Sequence, residues 1–301
     1  MLLLASCGAH ISNNPADEHG PLDAGIEADD GAPGRDAPAG DAAPLGAWLA
    51  PAAVTVAATP AAEDDVTLSS NALEMVYAIA DPTSGKKDLY YTSRTAIGAP
   101  WAAVAQLPFD RAASSEEAPR FSVDDRTLYF ASDRAADDGN LDIYAVTHTP
   151  GSTTPWGKPQ PVEPLTTAVT EKWLSPCSGG RYVVVQTTTA GDTDLFEGTL
   201  GSGAAPAPID ALNTTDSETG AFLTADCLTL YFASFRVAPE RIFMSRRASI
   251  GAPWQPPVRV DDFKIDDGTD AQEDPWLSPD GRTFALASNA AGTKDVYLST
   301  R

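Results

Sequence analysis

The chain is poor in basic residues and has no long apolar run. Lys and Arg together number 20 among 301 residues, against 42 Asp and Glu, so the formal net charge is −22. Such a surface repels nucleic-acid phosphates and anionic lipid headgroups, and we expect no nucleic-acid partner. No apolar stretch approaches the roughly 20 residues that a membrane-spanning helix needs.

Cysteine and histidine are also scarce, with three of each and no CxxC motif. This scarcity excludes a structural zinc site, and we predict no bound metal or cofactor apart from the calcium considered below. The acidic segment Asp137–Asp142 lacks the ligand alternation and final Glu of an EF-hand loop, so it predicts a polar hairpin. Cys177 and Cys227 occupy equivalent turns of neighbouring units, which we expect to lie too far apart for a disulfide.

What the chain does contain is a repeat. From residue 46 onward, one unit of about 52 residues recurs five times, each with an acidic opening, an apolar run and a Trp- or Pro-containing end. Its clearest marker is an aliphatic residue followed by an aromatic one, at Tyr90, Tyr144, Phe196, Phe243 and Tyr297. Four short strands per unit are typical of a propeller blade.

The two ends of the repeat region complement each other. The last unit stops after its third strand, whereas residues 46–54 around Trp48 resemble an unaccompanied fourth strand. Pairing them would close the ring and remove an open sheet edge. We therefore predict an all-β, five-bladed propeller over residues 46–301, with six blades as the alternative if one degenerate unit is hidden.

The N-terminus has a different character. Leu4-Ala5-Ser6-Cys7 resembles the lipobox of bacterial lipoproteins, which implies a signal-peptide remnant at 1–7 and a lipid on Cys7. The usual basic and long apolar regions are missing before it. Residues 8–45 are rich in Ala, Pro, Gly and Asp and predict a disordered linker.

One family resemblance covers the repeat region. Trp276-Leu277-Ser278-Pro279-Asp280-Gly281 looks like the Pro-Asp turn of the TolB-type, WD40-like propellers of bacteria, and Asp142-Ile143-Tyr144 fits the same pattern. Members of that family are mostly interaction scaffolds of the cell envelope. The resemblance implies a monomer in the periplasm or outer membrane, held to the membrane by its N-terminal lipid alone, with an envelope protein as partner.

Acidic residues that open the units are the candidate binding residues. We expect a ring at the mouth of the axial channel that binds a cation such as calcium or a basic group, formed by Asp64, Glu117, Glu171, Glu218 and Glu273. The alternative is that these carboxylates accept hydrogen bonds from loop backbone. Arg134 and Arg236 follow the second strands and either pair with those acids or contact a ligand.

The functional prediction is a protein-interaction scaffold, with carbohydrate or small-ligand binding as an alternative. A glycoside hydrolase would need two axial carboxyls in different environments, whereas the acids of this chain repeat with the blades. The Gly-x-Ser-x-Gly and HExxH motifs are absent. We therefore expect that the chain is not an enzyme, and that its evenly spaced Trp residues pack structurally and do not form a sugar platform.

Overall fold

A computed structural model describes residues 45–135, 139–152, 156–263, 265 and 269–301. Cys7, the lipobox, the linker up to residue 44 and part of the Asp137–Asp142 segment lie outside these ranges. The described residues contain no α-helix, only a 3₁₀ turn at Ser178–Gly180, and no helix in them is long and apolar enough to cross a bilayer.

The described chain forms five sheets of four antiparallel strands each, as the repeat predicts. The innermost strands are β2 (Glu63–Leu68), β6 (Glu116–Phe121), β10 (Glu171–Pro176), β14 (Glu218–Leu223) and β18 (Gln272–Leu277). The second strands are β3 (Glu74–Ala80), β7 (Thr127–Ser132), β11 (Arg181–Thr187), β15 (Thr229–Ser234) and β19 (Thr283–Ser288).

The remaining strands complete the blades outward. The third strands are β4 (Lys87–Ser93), β8 (Asp142–Thr147), β12 (Thr193–Thr199), β16 (Arg241–Arg246) and β20 (Asp295–Thr300). The two-residue outer strands are β1 (Ala52–Ala53), β5 (Ala105–Gln106), β9 (Gln160–Pro161), β13 (Ala207–Pro208) and β17 (Val258–Arg259). Because the innermost strands contact one another in the cyclic order β2, β6, β10, β14, β18 and β2, the five sheets form a propeller. We number the blades 1 to 5 in that order.

The ring closes through the N-terminal segment, as the sequence predicts. In blade 5, β1 pairs with β20 through Ala52 opposite Leu298 and Ala53 opposite Tyr297. The backbone N–H of Leu49 donates to the Thr300 carbonyl at 2.9 Å. The last sheet therefore has no missing fourth strand.

The tryptophans near the outer strands stack on basic side chains. Arg94 lies over Trp101 at 4.4 Å, Arg247 over Trp254 at 4.3 Å and Arg301 over Trp48 at 4.1 Å. Each of these arginines also donates from Nε to a carbonyl in the turn between the first two strands of its blade. In blade 2, His148 takes the place of the arginine and lies 4.6 Å from Trp156. These rings connect strands within four of the five blades, blade 3 having no such tryptophan, and this agrees with a structural role.

Trp48→Ala is expected to destabilise the protein by roughly 2–3 kcal/mol, because its half-buried ring contacts Phe263 at 5.1 Å and Phe284 at 5.9 Å across the closure. Urea denaturation gives the free energy of unfolding. Leu49→Ala is the matched control, since Leu49 is 64% exposed in the same segment. Equal effects of the two substitutions would contradict a stabilising role for Trp48 in closure.

Candidate functional sites at the two ends of the axial channel

Every innermost strand carries a β-bulge at the same place. The pairing with the second strand shifts register after the second residue of each strand. The next residue has a positive φ of 48–57° in all five blades, at Asp65, Ala118, Trp173, Gly220 and Asp274. Four of the five are not glycine, and this left-handed backbone costs about 1–2 kcal/mol per residue. The cost is tolerated where the surrounding structure imposes the conformation.

The predicted carboxylate ring is divided between two register positions. Asp64, Glu117 and Glu273 are each the second residue of an innermost strand and pair opposite an alanine. Glu171 and Glu218 are first residues, one position earlier. Because successive strand residues point to opposite faces, the five side chains cannot form one ring, and that part of the prediction is wrong.

Glu171 and Glu218 hold the loops that precede their strands. Thr167 donates its hydroxyl to Glu171 at 2.5 Å, and Thr214 donates its backbone N–H and hydroxyl to Glu218 at 3.1 and 2.9 Å. Glu63 accepts the same kind of bond from Thr59. For Glu171 and Glu218, the structure therefore agrees with the alternative prediction that the carboxylates accept hydrogen bonds from the loops.

Arg134 and Arg236 form ion pairs within their own blades. Arg134 Nη2 lies 3.1 Å from Glu116 Oε1, and Arg236 Nη2 lies 2.9 Å from Glu218 Oε1. Both guanidinium groups also donate to the serine that ends the second strand. Both guanidinium groups are therefore held within their own blades, so of the two predicted roles the ion pair is the one that the structure shows.

On the face where the innermost strands begin, which we call the loop face, lysines cover the acidic side chains. Lys87 Nζ lies 2.9 Å from Asp64 Oδ2, 2.8 Å from Asp65 Oδ2 and 3.5 Å from Glu117 Oε2. Lys172 Nζ lies 2.9 Å from the same oxygen of Glu117. The channel mouth therefore carries paired charges of both signs.

Blade 5 closes the other side of this mouth. Lys294 Nζ lies 2.6 Å from Glu273 Oε1 and 3.6 Å from Asp64 Oδ2. Thr219 in blade 4 donates its hydroxyl to Glu240 at 2.5 Å. Among the described residues, no group of three or more His, Cys, Asp or Glu side chains could hold a metal ion.

Two buried aspartates meet on the axis beneath the lysines. Trp173 Nε1 donates to Asp65 Oδ1 and to Asp274 Oδ1, both at 2.9 Å. The two oxygens therefore lie within about 6 Å of each other. The Asp65 backbone N–H also donates to Asp274 Oδ2 at 2.8 Å. This pair does not repeat around the ring, because the equivalent residues are Ala118, Trp173 and Gly220.

The two aspartates titrate in opposite directions. Burial tends to raise the pKa of Asp65, but the ammonium groups of Lys87 and Lys172 outweigh it and hold the pKa below the ordinary range. Burial, and then the negative charges of Asp65 and Glu273, raise the pKa of Asp274 to about 7. Below about pH 7 the pair therefore consists of one ionised carboxylate, Asp65, and one predominantly protonated carboxyl, Asp274.

The opposite end of the channel, which we call the turn face, holds an apolar pocket. The turn face carries the turns between the first and second strands, at 69–73, 122–126, 177–180, 224–228 and 278–282. The axial pocket encloses about 300 Å³, and its lining includes Leu68, Phe121, Pro176, Phe222, Leu223, Trp276 and Leu277. A second cavity of about 230 Å³ adjoins it between blades 5 and 1, since Ser70 and Ser278 line both.

A buried disulfide joins two turns of the turn face next to the axial pocket. Cys177 and Cys227 are bonded with their Cα atoms 5.3 Å apart, so the expectation that they remain unpaired is wrong. Equivalent turns of adjacent blades approach closely near the axis, where the Ser178 N–H donates to the Ala225 carbonyl at 2.9 Å. The neighbouring residues Pro176 and Asp226 line the pocket.

Solved structures share this fold, although no protein-family model matches the chain and no curated protein is significantly similar to it. A putative TolB from Agrobacterium tumefaciens has a TM-score of 0.53 and 17% identity, covering 81% of this chain and 78% of that one. An α-L-arabinofuranosidase from Podospora anserina, crystallised with cellotriose, has a TM-score of 0.55 and 12% identity, covering 85% and 96%.

An endo-arabinase from Bacteroides thetaiotaomicron is as similar, with a TM-score of 0.53 and 11% identity over 85% of this chain and 98% of that one. Identities this low show a common fold alone, and fold does not determine function. The TolB-like propeller architecture is thus supported by structure. The chain shares it equally with glycoside hydrolases.

The expectation that the chain is not an enzyme is corrected by this finding. It depended on acidic residues repeating with the blades, and Asp65 and Asp274 break that repeat. Glycoside hydrolases superpose on the chain as well as TolB does. Neither the fold nor the symmetry of the acids therefore excludes catalysis.

Asp274→Asn is expected to flatten the pH dependence of stability. Between pH 3.8 and about 7 the unfolded chain has lost the Asp274 proton while the folded chain retains it. Unfolding then releases a proton, so the free energy of unfolding falls as pH rises. In the variant, the free energy of unfolding should decrease less steeply with pH, by up to about 1.4 kcal/mol per pH unit. Urea titrations from pH 5 to pH 7 measure this slope.

Asp226→Asn is the control for that experiment, since it removes one exposed carboxylate from the turn face. Its stability should follow the wild-type pH profile. If Asp274→Asn follows the same profile as Asp226→Asn, then Asp274 does not retain a proton in the folded protein.

Proposed function

We propose that this chain is an extracytoplasmic, lipid-anchored scaffold that binds a partner protein of the cell envelope in the axial pocket of its turn face. The observation that carries the proposal is the pocket itself. Apolar side chains from all five innermost strands converge there, within a chain whose net charge is −22. Apolar concavities with a polar rim are typical of recognition sites.

The proposed compartment is supported by two features of the chain. Disulfides persist in oxidising environments outside the cytoplasm, and Cys177 and Cys227 form one. The lipobox-like Leu4-Ala5-Ser6-Cys7 supports attachment by lipid at Cys7. Monomeric association with one envelope partner is part of the same proposal.

A photoreactive amino acid at Val123 is expected to crosslink a partner in the native envelope, because Val123 is 42% exposed on the rim of the pocket. Adding Leu277→Glu should lower the adduct at least tenfold, since it places a charge among apolar pocket walls. Mass spectrometry of the isolated adduct identifies the partner.

Ala190 is the control position, because it is exposed between β11 and β12 on the loop face. The same photoreactive residue there should give none of the Val123 adduct. An adduct that is unchanged by Leu277→Glu would show that the pocket does not hold the partner.

A second candidate function is hydrolysis of glycosidic bonds at the loop face. It is favoured by the unequal aspartates, since a glycosidase pairs an ionised carboxylate with a protonated one. The shared indole N–H sets an upper limit of about 6 Å on the distance between the Asp65 and Asp274 oxygens, and the separation of about 5–5.5 Å in retaining enzymes lies below that limit. Asp65 would act as the nucleophile and Asp274 as the general acid.

The glycosidase candidate predicts release of 4-nitrophenol from 4-nitrophenyl α-L-arabinofuranoside or β-D-xyloside. Asp65→Asn and Asp274→Asn should each lower kcat at least about a hundredfold. Asp226→Asn should keep the wild-type rate. Absence of turnover, or turnover that persists in both variants, would remove this candidate.

A further inference from the structure

The segment that closes the ring crosses the junction between blades 5 and 1. Residues 54–62 connect β1, the outer strand of blade 5, to β2, the innermost strand of blade 1. At the start of this connection, the Val54 N–H donates to the Val296 carbonyl of β20 at 2.8 Å. Within the connection only Val54 and Ala57 are buried, so few contacts hold it on the junction.

Glu63, the first residue of β2, anchors the other end of this connection. Its N–H donates to the Lys294 carbonyl of blade 5 at 2.9 Å, and its Oε1 accepts the Thr59 N–H at 3.0 Å and the Thr59 hydroxyl. The residue is fully buried, and its Oε2 has no hydrogen-bond partner among the described residues. An ionised carboxyl that is buried without a full set of donors is costly, and a bound proton removes the charge.

A second carboxyl faces Glu63 across the junction. Asp295, the first residue of β20, is buried and lies within hydrogen-bonding reach of the Glu63 side chain. The adjacent Lys294 does not neutralise the two acids, because its ammonium group binds Glu273 and Asp64. In the part of the chain that the structure describes, no basic side chain forms an ion pair with Glu63 or Asp295. Two carboxyls in one buried site favour a proton shared between them.

The equivalent glutamates of other blades have partners that Glu63 lacks. Glu116 and Glu218 each form an ion pair with an arginine and accept a serine hydroxyl from the second strand. The glutamate of blade 3 accepts the side-chain amide of Gln186 at 3.1 Å. In blade 1 the residue paired opposite Glu63 is Ile79, whose side chain offers no donor. The carboxyl pair without a compensating cation therefore lies where the ring closes.

The pKa of Glu63 determines the direction of the pH effect. Burial raises this pKa, the hydrogen bonds from Thr59 lower it, and the negative charge of Asp295 raises it again, to about 7 against an ordinary value of 4.5. The contribution of Glu63 to the free energy of unfolding is therefore fully present below pH 4.5 and is lost as pH rises through about 7. The nearby phenol of Tyr77 on β3 stays neutral over this range, since burial and the charge of Glu63 raise its pKa.

We propose that ring closure depends on one proton held between Glu63 and Asp295. With the proton bound, residues 54–62 stay packed over the junction between blades 5 and 1. When the proton is lost, two negative carboxylates face each other there, and the connection opens so that water reaches Glu63. The ring is thus closed more firmly in mildly acidic than in alkaline surroundings. This inference goes beyond the proposed function and does not rest on it.

Amide hydrogen exchange of the full chain, followed by NMR, tests the proposal. Protection factors correct for the intrinsic pH dependence of exchange. The protection factor of the Val54 N–H should fall about tenfold between pH 6 and pH 8, as a carboxyl pKa of about 7 against 4.5 requires. At pH 8 it should lie at least about tenfold below that of the Ile209 N–H, because a local opening leaves the other blades closed. Ile209 donates to the Leu195 carbonyl at 2.9 Å, at the equivalent place in blade 3.

Glu63→Gln should abolish the fall at Val54, because a neutral amide can accept from Thr59 and donate to Asp295. Glu218→Gln is the matched control, since it removes a glutamate that is paired with Arg236, and the fall should persist in it. If Glu63→Gln does not fold, Asp295→Asn decides in its place, and it should make the fall at least about twofold smaller.

Three results would overturn the proposal. One is a Val54 protection factor that stays constant from pH 6 to pH 8. Another is a fall that persists unchanged in Glu63→Gln or, if that variant does not fold, in Asp295→Asn. The third is equal protection of Val54 and Ile209 at every pH, since Glu63 would then act on unfolding of the whole ring and not on its closure.

Discussion

The pairing of β1 with β20 is the interaction on which the rest of the structure depends. Two residue pairs and a few backbone hydrogen bonds join segments about 245 residues apart in sequence. Without them, blade 5 would lack its outer strand and present the open edge of β20. Closure also fixes the number of innermost strands around the axis, and hence the size of the channel that they enclose.

Convergence on a narrow axis explains the features at its two ends. Five strands that approach one line have room for few side chains, and the bulge in each strand redirects one residue at the same level. Near the loop face, Asp65 and Asp274 consequently both accept a hydrogen bond from the indole N–H of Trp173. Near the turn face it lets apolar side chains from different blades form one pocket. The same crowding brings Cys177 and Cys227 within bonding distance.

The fold is predictable from the sequence because each repeat contains recognisable strand patterns and turn residues. The Ser278-Pro279-Asp280-Gly281 turn, for example, forms as predicted, with the Ser278 hydroxyl donating to Asp280 at 2.6 Å. The site was less predictable, because blades 1 and 2 begin with two acids in succession, Glu63-Asp64 and Glu116-Glu117. Alignment alone does not show which of the two faces the channel, and a shift by one residue reverses the side chain.

Other features needed distances that no repeat pattern contains. The disulfide depends on how closely two turns approach at the axis, which strand spacing along the chain does not determine. The bulge was also hidden, since its left-handed position holds glycine in one blade only, at Gly220, where an added Cβ would lie 2.9 Å from the Asp274 backbone nitrogen. The usual glycine signal for a positive φ is therefore missing in four of five blades.

Function in such a ring must come from departures from symmetry. A feature that recurs in four of the five blades, such as the glutamate that begins the innermost strand and anchors the preceding loop, serves the structure of the blade. Arg120 has no counterpart, since the equivalent residues are Thr67, Ser175, Phe222 and Trp276. Arg120 is fully buried near the carboxylates of Asp65 and Asp274, whereas Phe222 and Trp276 at the equivalent position line the apolar pocket. The same strand position is therefore charged in one blade and apolar in two others, and such differences between blades, not the repeat itself, distinguish one part of the channel from another.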